Sequence, residues 1–129
     1  MAVPPTFRKQ ERMVSNLLIG ALFDNGKSLG VSAFPLRAVF QQTERGQVTV
    51  PVQILISVPK KRFKHAVDRN RVKRQIREAY RCHKQILWDK VPEGKQILLS
   101  FIWLSDRHSP TKEVEQRVVS LLQRIAGRL

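Results

Sequence analysis

Residues 68–84 read DRNRVKRQIREAYRCHK, and their apolar and basic side chains are spaced as on two sides of a helix. At about 100° of rotation per residue, its apolar side chains fall within one arc and its basic side chains within a neighbouring arc. The apolar arc holds Val72, Ile76, Ala79, Tyr80, His83 and Leu87. The pattern predicts a helix over residues 68–88 that packs one side on a core, with Asp68 as its N-cap and His83 as a core histidine.

Three stretches on either side of this helix have the composition of β-strands. Residues 36–42 and 48–58 are rich in branched and aromatic side chains, and Pro51 indicates an edge, a break or two short strands within the second. Residues 96–104 (QILLSFIWL) form a continuous apolar run between turns, which is typical of a buried central strand. Residues 29–34 are mixed and favour no single element.

Two further helices are predicted towards the ends of the chain, after a loose tail of residues 1–6. Apolar side chains recur at three- and four-residue spacing in residues 7–23, and a last helix beginning at Thr111 carries an apolar stripe. The stripe consists of Val114, Val118, Leu121, Leu122 and Ile125. The order of helix, strands, helix, strand and helix indicates a single α+β domain over residues 7–129, in which helices pack on a sheet.

Composition limits the classes of function. The 129 residues suffice for one core, and 24 Lys and Arg against 10 Asp and Glu give a net charge of +14. Such an excess favours a polyanionic partner over a small metabolite. The chain has a single cysteine, Cys82, and no apolar run that could serve as a signal peptide or membrane span, so we expect a cytoplasmic protein.

The positive charge is concentrated around the helix described first. Residues 60–84 contain eleven Lys or Arg against two acidic residues, a net +9 of the total +14. A solvated helix face normally carries both signs, since like charges four residues apart repel by roughly a few tenths of a kcal/mol. Lys73, Arg77 and Arg81 are like charges at that spacing. Nucleic-acid phosphates would supply the missing counter-charge, and arginine binds them with paired hydrogen bonds.

Residues 56–61 (ISVPKK) and 66–81 (AVDRNRVKRQIREAYR) resemble the bacterial ribonuclease P protein component. That family has a strand ending in Ser-Val-Ser-Lys-Lys or a similar sequence, followed by a helix of the form R-N-x-x-K-R-x-x-R. The residues that match every position of this motif are Arg69, Asn70, Lys73, Arg74 and Arg77. The resemblance extends more weakly over the rest of the chain.

The resemblance implies a small α-β sandwich of αβββαβα order, similar to domain 2 of ribosomal protein S5, with a left-handed βαβ crossover. It also implies a subunit that binds the catalytic ribonuclease P RNA and precursor tRNA, while the RNA and its Mg²⁺ ions remove the 5′ leader. No membrane, no DNA and no obligate protein partner is expected. The residues expected to bind RNA are Lys60, Lys61, Arg62, Lys64, His65, Arg69, Asn70, Arg71, Lys73, Arg74, Arg77 and Arg81.

In the family, a cleft between the sheet and its flanking helices holds the single-stranded leader against aromatic side chains. Phe23 matches one of two aromatic positions in the first helix, and Ile19 stands at the other. Arg37 falls near a strand position that is often aromatic, and Phe40 follows it. The resemblance therefore implies a leader cleft lined by these four residues, in which a guanidinium can also stack on bases. Core packing is the alternative for Phe23 and Phe40.

The sequence lacks the features of a protein nuclease. Its carboxylates are scattered and Cys82 has no nearby zinc ligands, so we expect no catalytic residue and no metal site in the protein. Asp106 and His108 fall in a predicted loop over residues 105–110 and are expected to serve a turn. The alternative function is that of a ribosomal or other structural RNA-binding protein. A helix-turn-helix DNA-binding module is disfavoured because no second recognition helix is visible.

Overall fold

The computed structural model describes residues 11–12, 28–45 and 50–129. Seven elements follow one another in these ranges: strands β1 (Leu29–Ala33), β2 (Leu36–Glu44) and β3 (Val52–Ser57), helices α1 (Ala66–His83) and α2 (Gln85–Trp88), strand β4 (Lys95–Trp103) and helix α3 (Thr111–Ala126). Their order confirms the predicted α+β class. None of the helices among the described residues is long and apolar enough to cross a membrane.

The predicted first helix, over residues 7–23, and the predicted tail lie outside the described residues except at positions 11 and 12. Arg12 forms a parallel β-bridge with Ile54 of β3. Glu11 next to it lies in a 3₁₀ turn, and the rest of the predicted helix stays a prediction. Ile19 and Phe23, which were predicted to line a leader cleft, also lie outside the described residues.

Strand β4 is the centre of a four-stranded mixed sheet with the strand order β1-β2-β4-β3. It runs antiparallel to β2 and parallel to β3. The side chains from Gln96 to Phe101 are all buried, which confirms the predicted central strand. Because β3 and β4 are parallel neighbours, α1 lies in a βαβ crossover between them. The left-handed sense of that crossover stays a prediction.

Alternation along the strands assigns one face of the sheet to the core. Leu36, Ala38 and Phe40 of β2 are buried and lie opposite Trp103, Phe101 and Leu99 of β4, so all six share one face. The side chains of the α1 and α3 stripes join the same cluster. All five residues of the predicted α3 stripe are fully buried, as are Val72, Ile76 and Tyr80 of α1. Both helical periodicities are thereby confirmed.

Strand β1 was not indicated by the sequence. Its five residues, LGVSA, are too few and too mixed to display a period of two. The strand forms because the chain turns at Phe34 and Pro35 and returns as β2, with which β1 pairs antiparallel. Val31 then enters the core, whereas Leu29 stays half-exposed.

Helix α1 begins two residues earlier than predicted, which corrects the role of Asp68. The backbone N–H groups of Asp68 and Arg69 both donate to the carbonyl oxygen of His65, at 3.2 and 3.3 Å. His65 is therefore the N-cap, with extended backbone and no capping side chain. Asp68 lies in the first turn, where its negative charge is still favourable.

The same helix ends five residues earlier than predicted, at His83. Lys84 is 7% exposed; its Nζ lies 2.8 Å from Glu11 Oε1 and 4.5 Å from the centre of the Trp88 ring. After Lys84 the chain continues as the short helix α2, and Leu87 is fully buried as expected. His83 is not a core residue: its Nε2 lies 2.8 Å from Glu115 Oε1 of α3, and its side chain is 31% exposed.

Candidate nucleic-acid interface

Residues 59–65 form a loop between β3 and α1 that presents its lysines to solvent. Lys60, Lys61 and Lys64 are all exposed. No ion pair joins these three lysines to any carboxylate in the described ranges. The loop therefore places three uncompensated positive charges directly before the helix.

Helix α1 continues this positive charge along its solvent side. Packing of Val72 and Ile76 on the core turns the opposite side of the helix outward. On that side Asn70 and Arg74 are exposed, whereas Lys73 and Arg77 are partly exposed and likewise form no ion pair within the described part of the chain. We call the group formed by the loop and this side the basic surface; it consists of Lys60, Lys61, Lys64, Asn70, Lys73, Arg74 and Arg77.

Arg69 holds the loop to the helix. Its Nη1 donates to the carbonyl oxygens of Phe63, at 2.9 Å, and of Lys64, at 3.0 Å. These bonds tie the first turn of α1 to the segment that carries the loop lysines. Because Nη1 is engaged by the backbone, the other nitrogens of the guanidinium are the ones that could contact RNA.

Arg81 is predicted to bind RNA, but a neighbouring carboxylate compensates its positive charge. Its Nε donates to both carboxylate oxygens of Glu78, at 3.0 and 3.2 Å. The hydrogen bond from Arg81 lowers the pKa of Glu78 below its ordinary value, and the bond from Glu78 raises the pKa of Arg81. The pair presents little net charge, and Arg81 therefore adds less to the basic surface than Arg74 or Arg77.

The remaining predicted contacts lie beside the basic surface. His65 and Arg71 are exposed; around the helix, Arg71 lies about 60° beyond Arg74, on the side away from Lys73. Arg62 Nη1 lies 3.4 Å from Asp106 Oδ1. Lys84, which belongs to the basic stretch of the sequence, is withdrawn into its buried pair with Glu11 and contributes nothing to the surface.

The loop of the basic surface contacts a second loop, between β4 and α3, that is distant in sequence. The ring of Phe63, 9% exposed, stacks on His108 with a centroid distance of 4.6 Å and an interplanar angle of 18°. His108 Nε2 lies 3.0 Å from Asp68 Oδ1. Since an ionised carboxylate only accepts, Nε2 carries the hydrogen of this bond. The sequence contained one signal for this contact, an apolar Phe63 inside a run of cations.

The predicted leader cleft is divided by the sheet. Phe40 is 3% exposed and packs in the core, on the side of α1 and α3. Arg37 lies on the other face and is exposed, with its Nη2 3.1 Å from the position that a Cβ on Gly30 would occupy. For Phe40 the alternative of core packing is therefore the one that the structure supports, whereas Arg37 lies exposed on the opposite face of β2.

Carboxylates near the basic surface are bound to basic side chains. Asp68 meets His108, Glu78 meets Arg81, and Asp106 meets Arg62. Within residues 11–12, 28–45 and 50–129, no group of three or more His, Cys, Asp or Glu side chains is placed to hold a metal ion. The side chains of Asp106 and His108 contact Arg62, Phe63 and Asp68, so they make tertiary contacts rather than only the turn that the sequence suggested.

The fold and this surface define a class: small α+β proteins in which a βαβ crossover helix and its preceding loop carry clustered cations suited to a polyanion. The chain belongs to the ribonuclease P protein family, whose model, described as Ribonuclease P, matches residues 7–126. It is 41% identical over 131 residues to the ribonuclease P protein component of Porphyromonas gingivalis, covering 98% of this chain and 93% of that protein.

Solved structures agree on the fold. The RNase P protein of Staphylococcus aureus superposes with a TM-score of 0.63 at 21% identity, covering 90% of this chain and 94% of that one. The RNase P protein of Thermotoga maritima gives a TM-score of 0.60 at 21% identity, covering 88% and 96%. The matches span nearly the whole chain, including the βαβ crossover that carries the basic surface.

Proposed function

We propose that the chain acts as the protein subunit of ribonuclease P by binding the catalytic RNA through its basic surface. In this role it assists the removal of the 5′ leader from precursor tRNA in the cytoplasm. One observation carries the proposal: six cations cluster on one loop and one helix side without a carboxylate partner among the described residues. The cations of this group are Lys60, Lys61, Lys64, Lys73, Arg74 and Arg77.

The physical chemistry of these residues suits an RNA backbone. Clustered cations release the counterions condensed on the phosphates, and that release drives binding. Arg74 and Arg77 can each bind a phosphate through paired hydrogen bonds, whereas the lysines act as point charges. Asn70 lies among them and offers both a donor and an acceptor, which suit a base edge or a 2′-hydroxyl.

Hydrolysis is assigned to the RNA and its Mg²⁺ ions. Metal-dependent hydrolysis needs carboxylates free to bind metal or to act as a base. Asp68, Glu78 and Asp106, the acids closest to the basic surface, are each engaged by a basic side chain. The protein is thus proposed to raise the affinity of the RNA for its substrate and for Mg²⁺ by reducing phosphate repulsion.

Reconstitution tests the proposal. Purified protein is added to a bacterial ribonuclease P RNA and a precursor tRNA at a Mg²⁺ concentration too low for the RNA alone. Cleavage at the mature 5′ end is expected to rise with protein concentration until the RNA is saturated. Binding of the RNA without any rise in cleavage would overturn the proposal and favour a structural RNA-binding protein.

A matched pair of variants links the activity to the basic surface. Arg74→Ala removes an exposed cation within it, and Lys112→Ala removes an exposed cation at the start of α3. The protein concentration needed for half-maximal cleavage should rise several-fold for Arg74→Ala and stay unchanged for Lys112→Ala. Equal effects would mean that only net charge matters and that the basic surface is not the binding site.

A further inference from the structure

The loop that carries three cations of the basic surface is anchored to the rest of the fold by a buried side chain. Loops with many exposed charged residues are ordinarily mobile, and ordering them on binding costs conformational entropy. Here the loop is anchored through Phe63, whose side chain points inward and is 9% exposed although its neighbours are all cations. The anchor gives the loop lysines a defined position before any partner is bound.

The other half of the anchor comes from a remote part of the chain. His108 lies in the connection between β4 and α3, and its ring stacks on Phe63 at a centroid distance of 4.6 Å. Its Nε2–H donates to Asp68 in the first turn of α1, at 3.0 Å. Arg62 and Asp106 add an ion pair between the same two loops at 3.4 Å. One histidine thus touches both the loop and the helix that form the basic surface.

We propose that Phe63, Asp68 and His108 form a clamp that holds the loop against α1 in the conformation that binds RNA. Asp68 and His108 are positioning residues in this role, because Asp68 Oδ1 and His108 Nε2 face each other at 3.0 Å. The inference rests on the proposed function for its RNA-binding consequence. Pre-organisation of this kind strengthens binding by removing the cost of ordering the loop.

Electrostatics and the clamp predict opposite effects for Asp68. A carboxylate beside a phosphate-binding surface repels the RNA, so its removal raises affinity if charge alone matters. If the clamp matters, the same removal frees His108 and the loop and lowers affinity. The sign of the change in affinity for Asp68→Ala therefore separates the two explanations.

The experiment compares Asp68→Ala, His108→Ala, the double variant and Glu93→Ala with the unmodified protein. Glu93→Ala is the matched control, because it also removes an exposed carboxylate but lies in the turn before β4. Dissociation constants are measured with ribonuclease P RNA. Limited trypsin digestion, mapped by mass spectrometry, reports cleavage after Lys60, Lys61, Arg62 and Lys64 in the absence of RNA.

The expected result is that Asp68→Ala and His108→Ala each bind RNA about 3- to 10-fold more weakly, as for the loss of one hydrogen bond and its stacking contact. The double variant should bind RNA no more weakly than either single variant. Trypsin should cut both single variants faster within the loop than it cuts the unmodified protein. Glu93→Ala should bind at least as tightly as the unmodified protein and be cut at the same rate.

Two results would overturn the clamp: RNA binding by Asp68→Ala as tight as that of the unmodified protein, or additive losses in the double variant. The digestion arm needs no RNA, so it tests the clamp even if the proposed function fails. Failure of the unmodified protein to bind ribonuclease P RNA would instead refute the proposed function. Thermal unfolding of each variant shows whether the whole domain, rather than the loop alone, is affected.

Discussion

Arg69 illustrates how a single residue can match a family motif and still act in a second way. Its Nη1 donates to two backbone carbonyls of the loop, so it supports the loop lysines as well as adding charge. Arg74, one turn and a half along α1, makes no such backbone contact and is exposed. Both arginines of the motif therefore supply charge, but of the two it is Arg69 that also holds the loop in place.

Conservative substitution separates the two arginines. Arg69→Lys keeps the charge but loses the planar group that bridges Phe63 and Lys64, so RNA affinity should fall about 3- to 10-fold. Arg74→Lys should lose less than about 3-fold, because a lysine still binds phosphate as a point charge. Filter binding at one salt concentration measures both. Equal losses for the two variants would show that Arg69 acts through phosphate alone.

Tyr80, the only tyrosine of the chain, provides a measurement of core integrity at high pH. Burial raises the pKa of its hydroxyl above the ordinary value, and the hydrogen bond from Trp88 Nε1 opposes that shift. Above about pH 10 the unfolded chain releases this proton while the folded chain retains it, so stability should fall with rising pH. Tyrosinate absorbance should appear only with unfolding.

The Tyr80 prediction has a matched variant. Tyr80→Phe should lose the part of the alkaline decline that this proton causes, although it also loses the bond from Trp88. Thermal unfolding followed between about pH 8 and about pH 11 measures both proteins. Tyrosinate absorbance that rises near pH 10 while the circular dichroism remains native would contradict the burial of this hydroxyl.

Arg37 is the residue of the predicted leader cleft that the described part of the chain places on the surface of the sheet. It stands on the face of β2 opposite the core, with its guanidinium against Gly30. If it stacks on a leader base, Arg37→Ala should reduce the preference for precursor over mature tRNA about 3- to 10-fold. Competition between the two tRNAs measures that preference, with Arg107→Ala as an exposed-arginine control. An unchanged preference would remove Arg37 from the cleft.

Among the helices and strands, α3 is the helix whose packing the sequence predicts most completely. Its stripe at three- and four-residue spacing is fully buried against the sheet and α1. Leu121→Ala should lower the free energy of unfolding by about 2–5 kcal/mol, the range for large-to-small changes in a packed core. Gln123→Ala, on the exposed side of the same helix, should change it by less than about 0.5 kcal/mol. Denaturant titration checks both.

The elements that sequence reasoning placed correctly are those with a strong local signal. The amphipathic period of α1, the stripe of α3 and the apolar run of β4 each determine burial without reference to the rest of the chain. Strand β1 escaped because its five residues show no period by themselves. It is made a strand by pairing with β2.

The boundaries of α1 failed for a different reason. At its C-terminal end, Lys84 forms a buried pair with Glu11, a tertiary contact with a residue remote in sequence that no local pattern encodes. At its N-terminal end, residue type pointed to Asp68 because aspartate favours the N-cap and histidine does not, yet the first backbone bonds are made to His65. For Phe40, by contrast, a local rule decides between the cleft and the alternative of core packing. Residues 37 and 40 differ by an odd number, so a strand places them on opposite faces.

Across the whole molecule, the 24 Lys and Arg residues fall into two groups. Some are paired with carboxylates within the fold, as Lys84 is with Glu11 and Arg81 with Glu78. Six others lie together on the basic surface and have no carboxylate partner among the described residues. We therefore expect the clustering of charge, rather than its total, to determine where RNA binds.

The salt dependence of RNA binding shows whether the cations of the basic surface contact the phosphates. The affinity for ribonuclease P RNA is measured over a range of salt concentrations for the unmodified protein and two triple variants. One replaces Lys73, Arg74 and Arg77 by alanine, and the other replaces Lys90, Lys112 and Arg128, which are exposed elsewhere. Both lower the net charge equally, so they differ only in where the charge is lost.

The slope of log affinity against log salt concentration counts the phosphates neutralised. We expect the first triple variant to lose about two to three units of slope and the second to keep the slope of the unmodified protein. Parallel lines for all three proteins would instead show that α1 does not touch the phosphates.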